Sequence, residues 1–310
     1  MILKRNFNPL KIWSYIKKPM SFAILWAVSV WSLHRFSGLE SLQINFTPVG
    51  VLGSALAIFI AFRNNSAYSR WWEARQIWTG IVNSSRVLAR LIITFTDSHA
   101  HQENYLVERS EAFKKEMVYK CIAWAHTVRL SLRRENSWEE LQSFFREDEF
   151  DSFLSAQNKA SFLHLLMGKE IYKAMANGTL GGFDSFQMEG QLLALANYQG
   201  AAEKIKETPL PRQYDFFTRV FVTLFVLLLP FGLLSLLPAP SWLIILFSIL
   251  ISGVFIIMER TGAANEDPFE NLITDVPMTT LCNTIERDLR EMLGETSLPP
   301  AIVPKDGYLF

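Results

Sequence analysis

Three side chains recur at every fourth position of an apolar run, and a polar run follows them directly. Ser54, Ile58 and Phe62 share one face of a helix at this spacing. The residues after Phe62 read RNNSAYSRWWEAR; these polar residues need water around them, while Trp71 and Trp72 suit a membrane interface. Such a sequence is typical of a path that leaves a hydrophobic narrowing and enters water. The periodicity alone also fits ordinary packing against a neighbouring helix, and that alternative stays open.

The sequence carries no pattern for enzyme catalysis or metal binding. His99 and His101 are spaced for one side of a strand, whereas a helical metal pair needs a spacing of four, and no metalloprotease, nucleophile-elbow or phosphate-loop motif is present. His126 and His164 lie on apolar helix faces, where a partly buried, hydrogen-bonded imidazole is the expected state. The chain is therefore not expected to be an enzyme, and no cofactor or metal is expected.

The composition indicates a membrane protein. Half of the 310 residues are hydrophobic, 19% are charged and the mean hydropathy is +0.15, which is less polar than an ordinary soluble domain. Thirty basic and thirty acidic side chains balance, so the charge does not favour nucleic acid as a partner. The two cysteines, Cys121 and Cys282, are too few for a disulfide framework or a cysteine zinc site, and they fit a reducing compartment.

Four membrane spans are predicted. From Val220 to Met258 no charged residue or histidine occurs, and this run is about twice the ~20 residues that one span needs. Pro238 and Pro240 favour a break, which gives spans at 218–237 and 241–258. Two weaker spans lie at 20–36 and 47–62. For the first of them a signal peptide is the alternative, but it lacks an obvious small-residue cleavage site.

The loops predict the orientation and the domains. Basic residues crowd the N-terminus and the segment after Phe62, whereas the 37–46 loop carries only Glu40 and the 238–241 loop has no charge. Both termini and the middle region of this multi-pass membrane protein are therefore expected in the cytoplasm. The expected divisions are 1–62 with two spans, 63–217 as a cytoplasmic helical region, 218–258 with two further spans, and 259–310 as a cytoplasmic end. Helical periodicity in the middle region makes the fold class all-α.

Two separated segments resemble the bestrophin family, on its bacterial branch. FRNNSAYSRWWEARQIW is similar to the exit of the family's second span, and NEDPFENLITDVPMTTLCNTIERDL resembles the segment after its fourth span, with the family's motif at Asp267, Pro268 and Phe269. The resemblance implies a homopentamer in the lipid bilayer of a bacterial inner membrane, which passes monovalent ions through a transmembrane neck into a cytoplasmic vestibule. By position, Ser54, Ile58 and Phe62 would form the three rings of this neck. A bulky apolar residue is usual where Ser54 stands, so its ring should be wider.

The resemblance also implies a second narrowing and a departure in regulation. By order and spacing, the cytoplasmic constriction of the family falls on Phe183; a core aromatic is the alternative. Eukaryotic relatives hold calcium with an acidic run after the last span. Here the acidic residues of that segment, Glu266, Asp267, Glu270 and Asp275, are scattered, so calcium is not expected to be required.

Three classes of function stay open from the sequence: an ion channel, a membrane-bound enzyme and a membrane scaffold. The missing motifs weigh against the enzyme. For the channel, a neck without charged rings does not fix the sign of the ion. The expectation leans towards monovalent cations for the bacterial branch, with chloride and other anions as the alternative.

Overall fold

The computed structural model describes residues 1–4, 10–37, 43–103, 105–237 and 242–310, and this part of the chain is mainly helical. The helices in chain order are α1 Leu10–Ser37, α2 Phe46–Ser98, α3 Val107–Arg133, a short 3-10 helix Trp138–Phe144, α4 Glu147–Ser155, α5 Lys159–Ala176, α6 Gly182–Glu207, α7 Arg212–Leu236, α8 Leu243–Asn265 and α9 Met278–Met292. In these ranges, β pairing is limited to isolated bridges of Tyr308 with Ile2 and Lys305. The predicted all-α fold class is confirmed.

Three of the described helices are long and apolar enough to cross a membrane, and they are α2, α7 and α8. Helix α7 begins before the predicted 218–237 span and α8 continues beyond the predicted 241–258 span, because polar residues at their ends extend the helix. Helix α1 covers the predicted 20–36 span but is not among the three, so the count of four spans stays a prediction. The predicted break at Pro238 and Pro240, and Glu40 of the 37–46 loop, lie outside the described residues.

The chain forms two compact units. The span unit is Lys4–Trp71 with Pro209–Asp267, and the body unit is Met1–Leu3 with Trp72–Thr208 and Pro268–Phe310. The boundaries of the two units separate groups of residues that mainly contact one another. The predicted divisions at 62, 217 and 258 instead mark where the chain is expected to cross the membrane surface. The predicted divisions therefore stay a prediction.

In the span unit, apolar side chains of α1, α2, α7 and α8 make one core. Leu56 and Ile60 of α2 pack in this core with Phe225 and Leu229 of α7. A side chain at Gly53 would meet the Phe225 ring at 2.8 Å, so the absence of a Cβ lets α2 approach α7 closely.

In the body unit, α3 is the central helix. It packs against α5, α6 and α9, and its side chains Met117, Ile122 and Trp124 are fully buried. Trp124 donates a hydrogen bond to Gln199 of α6 at 3.3 Å. The body unit therefore has a closely packed helical core around α3.

Candidate pore-lining site

The predicted neck residues lie on the exposed face of α2. Ser54 is exposed, and the side chains of Ile58 and Phe62 are 58% and 70% exposed in the single chain. Two residues before Ile58, Leu56 is 2% exposed within the core of the span unit. The helix therefore has one face that is packed and one face that presents bulky apolar groups without cover.

The hydroxyl groups on this exposed face are satisfied by the helix itself. Ser54 Oγ donates to the Gly50 carbonyl at 3.0 Å, and Ser66 Oγ donates to the Phe62 carbonyl at 3.1 Å. In these rotamers neither hydroxyl uses its proton outside the helix. The exposed face consequently offers Ile58 and Phe62 as hydrophobic groups, with Ser54 as a small and weakly polar one.

Arg63 fixes the end of the apolar stripe. Its guanidinium is buried and forms ion pairs with Asp215 of α7, with Glu259 of α8 at 3.4 Å, and with Glu266 just after α8 at 3.6 Å. One side chain thus ties α2 to the ends of two other helices. Because consecutive helical residues point about 100° apart, an inward Arg63 turns its neighbour Phe62 away from the core.

Three arginines closer to the surface share the same acidic groups. Arg219 contacts Asp215, Arg212 lies 3.8 Å from Glu266, and Arg260 lies 3.3 Å from Glu259. Burial, followed by the neighbouring charge of Asp267, raises the pKa of the Glu266 carboxyl. Without Arg63, these buried carboxylates would keep only the more exposed arginines as partners, and a buried charge that loses its buried partner is strongly destabilising.

An apolar groove of about 520 Å³ opens beside the exposed stripe. It lies between α2 and the start of α7, and its lining includes Ile58, Phe62, Pro211 and Tyr214. The groove therefore exposes apolar side chains of both helices on the surface of the single chain.

Phe183 lies in the first turn of α6 and is 70% exposed, which argues against the alternative of a core aromatic. Its ring centroid is 6.4 Å from that of Phe95 near the end of α2. Beside it, Asp184 accepts hydrogen bonds from the Gly181 backbone N–H at 2.9 Å and from His99 Nε2 at 2.6 Å. These contacts fix the start of α6 against the end of α2 and leave the Phe183 ring largely in solvent.

The family motif after the last span is a structural turn. Phe269 is fully buried in the body unit, and the Pro268 carbonyl accepts from the Val276 backbone N–H at 3.1 Å. Within that turn Asp275 accepts from the backbone N–H groups of Glu270 at 2.7 Å and Leu272 at 3.1 Å. The Asp275 carboxylate therefore closes its own loop, and burial raises its pKa to about 6.

His126 and His164 occupy structural positions in the body unit. His126 stacks on Phe144 and lies 3.6 Å from Glu286. His164 packs against the edge of Trp124, and burial lowers its pKa to about 4.

Among the described residues, one acidic group has metal-like spacing, formed by Glu116, Glu149 and Glu170. Lys120, Arg146 and Lys173 pair with these carboxylates, and this arrangement is that of a structural ion-pair network.

Sequence patterns did not reveal the ion pairs of Arg63 or the contact between His99 and Asp184, which position the predicted site residues. The partners of Arg63 are about 150 to 200 positions away in sequence, and Asp184 is 85 positions from His99. The available signal was an arginine placed directly after an apolar stripe, which must find partners if it is to be buried.

The fold and these features belong to a known class of membrane channels. A family model described as bacterial/fungal bestrophin protein matches residues 8–291. The chain therefore belongs to the bestrophin family, whose members are membrane ion channels and not enzymes.

Individual relatives match over most of their length. The voltage-dependent anion channel-forming protein YneE of Escherichia coli is 32% identical over 86% of this chain and 84% of its own. A voltage-dependent anion channel-forming protein of Mesorhizobium japonicum is 30% identical over 93% of this chain and 87% of its own. The structure of a mutated bacterial bestrophin homologue from Klebsiella pneumoniae aligns with a TM-score of 0.81 at 26% identity, over 91% of this chain and 100% of that one.

Proposed function

We propose that this bestrophin forms a homopentameric channel in a bacterial inner membrane and conducts monovalent ions through a neck lined by Ser54, Ile58 and Phe62. The observation that carries the proposal is the exposure of Ile58 and Phe62 on a helix whose opposite face is fully packed. In a ring of subunits, five copies of this stripe around one axis would make consecutive apolar rings. A narrow apolar ring stops ions by dewetting, because the ion loses hydration that no dipole replaces.

Assembly would cover the apolar surface that the single chain leaves open. Ile58 and Phe62 form one wall of the groove, and Pro211 and Tyr214 lie on the opposite side. A neighbouring subunit would cover the side of Pro211 and Tyr214 while Ile58 and Phe62 face the axis. The proposed topology has four spans, the pairs 1–62 and 218–258, with both termini, the 63–217 region and the 259–310 segment in the cytoplasm. The basic residues of the N-terminus, ahead of the apolar run that begins at Met20, and those after Phe62 support this orientation.

The relatives favour anions as the conducted species. The curated relatives from Escherichia coli and Mesorhizobium japonicum are both named anion channel-forming proteins. The expectation of monovalent cations finds no support in these names, so we propose that chloride and similar anions pass more readily. Phe183 is proposed as the cytoplasmic constriction, on the strength of its exposure at the start of α6.

A reversal potential measured in planar bilayers tests the proposal. Purified protein is reconstituted under a potassium chloride gradient, and the potential of zero current gives the sign of the favoured ion. A current with a reversal potential near that of chloride is expected. A protein that carries no current while correctly folded would instead favour the membrane scaffold, and a reversal potential near that of potassium would refute anion preference.

A further inference from the structure

Helix α6 carries large apolar side chains on two sides. On its inner side Met188, Leu192 and Leu195 are buried in the body unit. On its outer side Phe186 and Leu193 are 74% and 63% exposed. A helix that is apolar on both sides is normally covered on both sides, and the single chain covers one of them.

The neighbouring helix α5 extends this outer side. Leu165 and Tyr172 of α5 are likewise mainly exposed. Gly168 shares their side of α5 and lies next to α6, because a Cβ there would be 3.9 Å from the carboxylate of Glu189. The four exposed apolar residues of the two helices and this glutamate are called the outer face, which consists of Leu165, Tyr172, Phe186, Glu189 and Leu193.

Glu189 brings a negative charge to the outer face. Its side chain is exposed, and it pairs with no basic group in the part of the chain that the structure describes. A lipid surface would not suit this carboxylate, because acidic side chains are costly in hydrocarbon and are repelled by anionic headgroups. A fitting cover therefore supplies apolar surface and a positive charge together.

Gly190, which follows Glu189 directly, indicates close approach by another molecule. A Cβ at Gly190 would meet no atom within 4 Å, so the single chain does not require a glycine there. Glycine in the interior of a helix lowers its stability relative to alanine. It is favourable where a second backbone comes close to the helix.

A complementary surface lies on α2 and α9, also in the body unit. An apolar groove of about 400 Å³, called the α2–α9 groove, separates these helices. Arg86 at its edge pairs with Asp288 at 2.5 Å, whereas Arg90 is exposed and pairs with no acidic group among the described residues. The groove thus combines apolar walls with a positive charge, and its lining consists of Arg86, Val87, Arg90, Ile93, Thr94 and Met292.

We propose that the outer face of one subunit docks into the α2–α9 groove of the next subunit, with Glu189 paired to the Arg90 of that neighbour. The opposite charges on the two apolar surfaces identify a second copy of this chain as the occupant. Two different surfaces of one chain that fit each other make a head-to-tail contact, which closes into a ring. The inference rests on the proposed homopentamer and adds the surfaces through which its body units meet.

The directions of the helices determine how the two surfaces align. Within one body unit α6 runs antiparallel to α2, because Phe183 at the start of α6 contacts Phe95 near the end of α2, while Tyr198 further along α6 lies beside Gly80. A ring axis that follows α2, as proposed for the pore, keeps the direction of α2 in every copy. Helix α6 is then antiparallel to the α2 of the neighbour as well.

This antiparallel alignment predicts a second contact. The turn of α6 after Glu189 carries Leu193, and the turn of α2 before Arg90 carries Val87. When the charged pair is in contact, Leu193 therefore faces the Val87 of the neighbouring subunit. Both positions are accessible in the single chain, so each tolerates a cysteine.

Disulfide cross-linking of the whole protein in membranes tests the proposal. Leu193→Cys combined with Val87→Cys should give cross-linked species up to the pentamer, with a yield about tenfold or more above either single variant, because a head-to-tail contact needs both thiols. Cys121 and Cys282 are buried and do not contribute. Leu193→Cys combined with Glu139→Cys is the matched control, since Glu139 is exposed elsewhere on the body unit, and its yield should stay at the level of the single variants.

Reversal of the charges tests the pairing itself. Glu189→Arg and Arg90→Glu should each lower the fraction of assembled protein about tenfold or more, because like charges then face each other across the contact. The two changes combined should restore assembly. Glu139→Arg is the control, and it should assemble as the wild type does. Size-exclusion chromatography with light scattering at low protein concentration measures the assembled fraction.

The outcomes separate this inference from the proposed function. If the wild type is a pentamer but the cysteine pair cross-links no better than the control, the proposal is wrong and the channel stands. Dimers formed by Leu193→Cys alone would show that two outer faces meet each other, which also contradicts it. A combined charge variant that assembles no better than the single ones would refute the pairing of Glu189 with Arg90. A wild type that is monomeric in membranes would overturn the proposed pentamer itself, and this inference with it.

Discussion

Leu56 and Ile58 are two residues apart on α2 and lie in opposite environments. Leu56 is 2% exposed in the core formed with α1, α7 and α8, whereas Ile58 is 58% exposed. Residues of similar size and chemistry on one helix thus give a matched pair for separating packing from pore lining.

The first prediction uses that pair. Ile58→Ala combined with Phe62→Ala should raise ion flux and open probability, because shorter side chains let water stay in the neck. Leu56→Ala should leave flux per assembled channel unchanged and lower stability by about 2–5 kcal/mol through lost core packing. Single-channel recording and thermal unfolding in detergent measure the two effects. A double variant that conducts no better than the wild type while still assembled would contradict the neck.

The second prediction concerns Phe183. Phe183→Ala should widen the constriction and change the permeability ratios among anions of different size, with little loss of stability because the ring is mainly in solvent. Phe153→Ala is the control, since Phe153 is fully buried among Phe145, Phe150 and Trp138. That control should lose about 3–5 kcal/mol. A comparable loss of stability in Phe183→Ala would return Phe183 to a structural role.

The third prediction concerns Arg63. Arg63→Met leaves Asp215, Glu259 and Glu266 without their shared buried cation, and the expected loss is about 3–5 kcal/mol. Arg75→Met is a suitable control, because Arg75 contacts Thr79 on its own helix at 2.8 Å. The yield of assembled protein and its unfolding temperature are the measurements. Equal stability of the two variants would show that the buried network contributes little.

The fourth prediction is a pH dependence of stability through Asp275. Its pKa is raised from 3.8 to about 6 by burial, so the folded chain holds this proton more tightly than the unfolded chain. The resulting stabilisation is fully present below about pH 4 and is lost as the pH rises through about 6, with an upper size of about 3 kcal/mol. Asp275→Asn should remove this component and be the more stable protein at neutral pH. Unfolding temperatures of both proteins across this range test it, and identical profiles would contradict it.

The sequence predicted the parts of this structure that depend on local composition. The long uncharged run gave two helices near the right positions, and the fourfold spacing of Ser54, Ile58 and Phe62 placed them on one exposed face. It did not predict that Arg63 would be buried, nor that His99 would contact Asp184, because such partners are set by tertiary packing between distant segments. The sequence predicted a membrane span within α1, but α1 is not among the three helices that are long and apolar enough to cross a membrane. Its apolar run contains serines and tryptophans, and it ends with His34 and Arg35, which lower its mean hydropathy.

The neck can be tested by introducing a single cysteine, because the two native cysteines do not have to be removed first. Cys121 and Cys282 are fully buried, and burial raises the pKa of each thiol to about 12, so neither should react with a polar thiol reagent. A cysteine introduced on the stripe would then be the reactive thiol of the protein.

The most direct measurement is therefore the current through Phe62→Cys channels during exposure to a positively charged, membrane-impermeant thiol reagent, with Leu56→Cys in parallel. If Phe62 lines the neck, modification places five charges in the ion path, and the current through Phe62→Cys should change severalfold and irreversibly. Leu56→Cys should not respond, because its side chain lies in the core. An unchanged current through fully modified Phe62→Cys channels, or a response of Leu56→Cys instead, would contradict the assignment of this face of α2 to the pore.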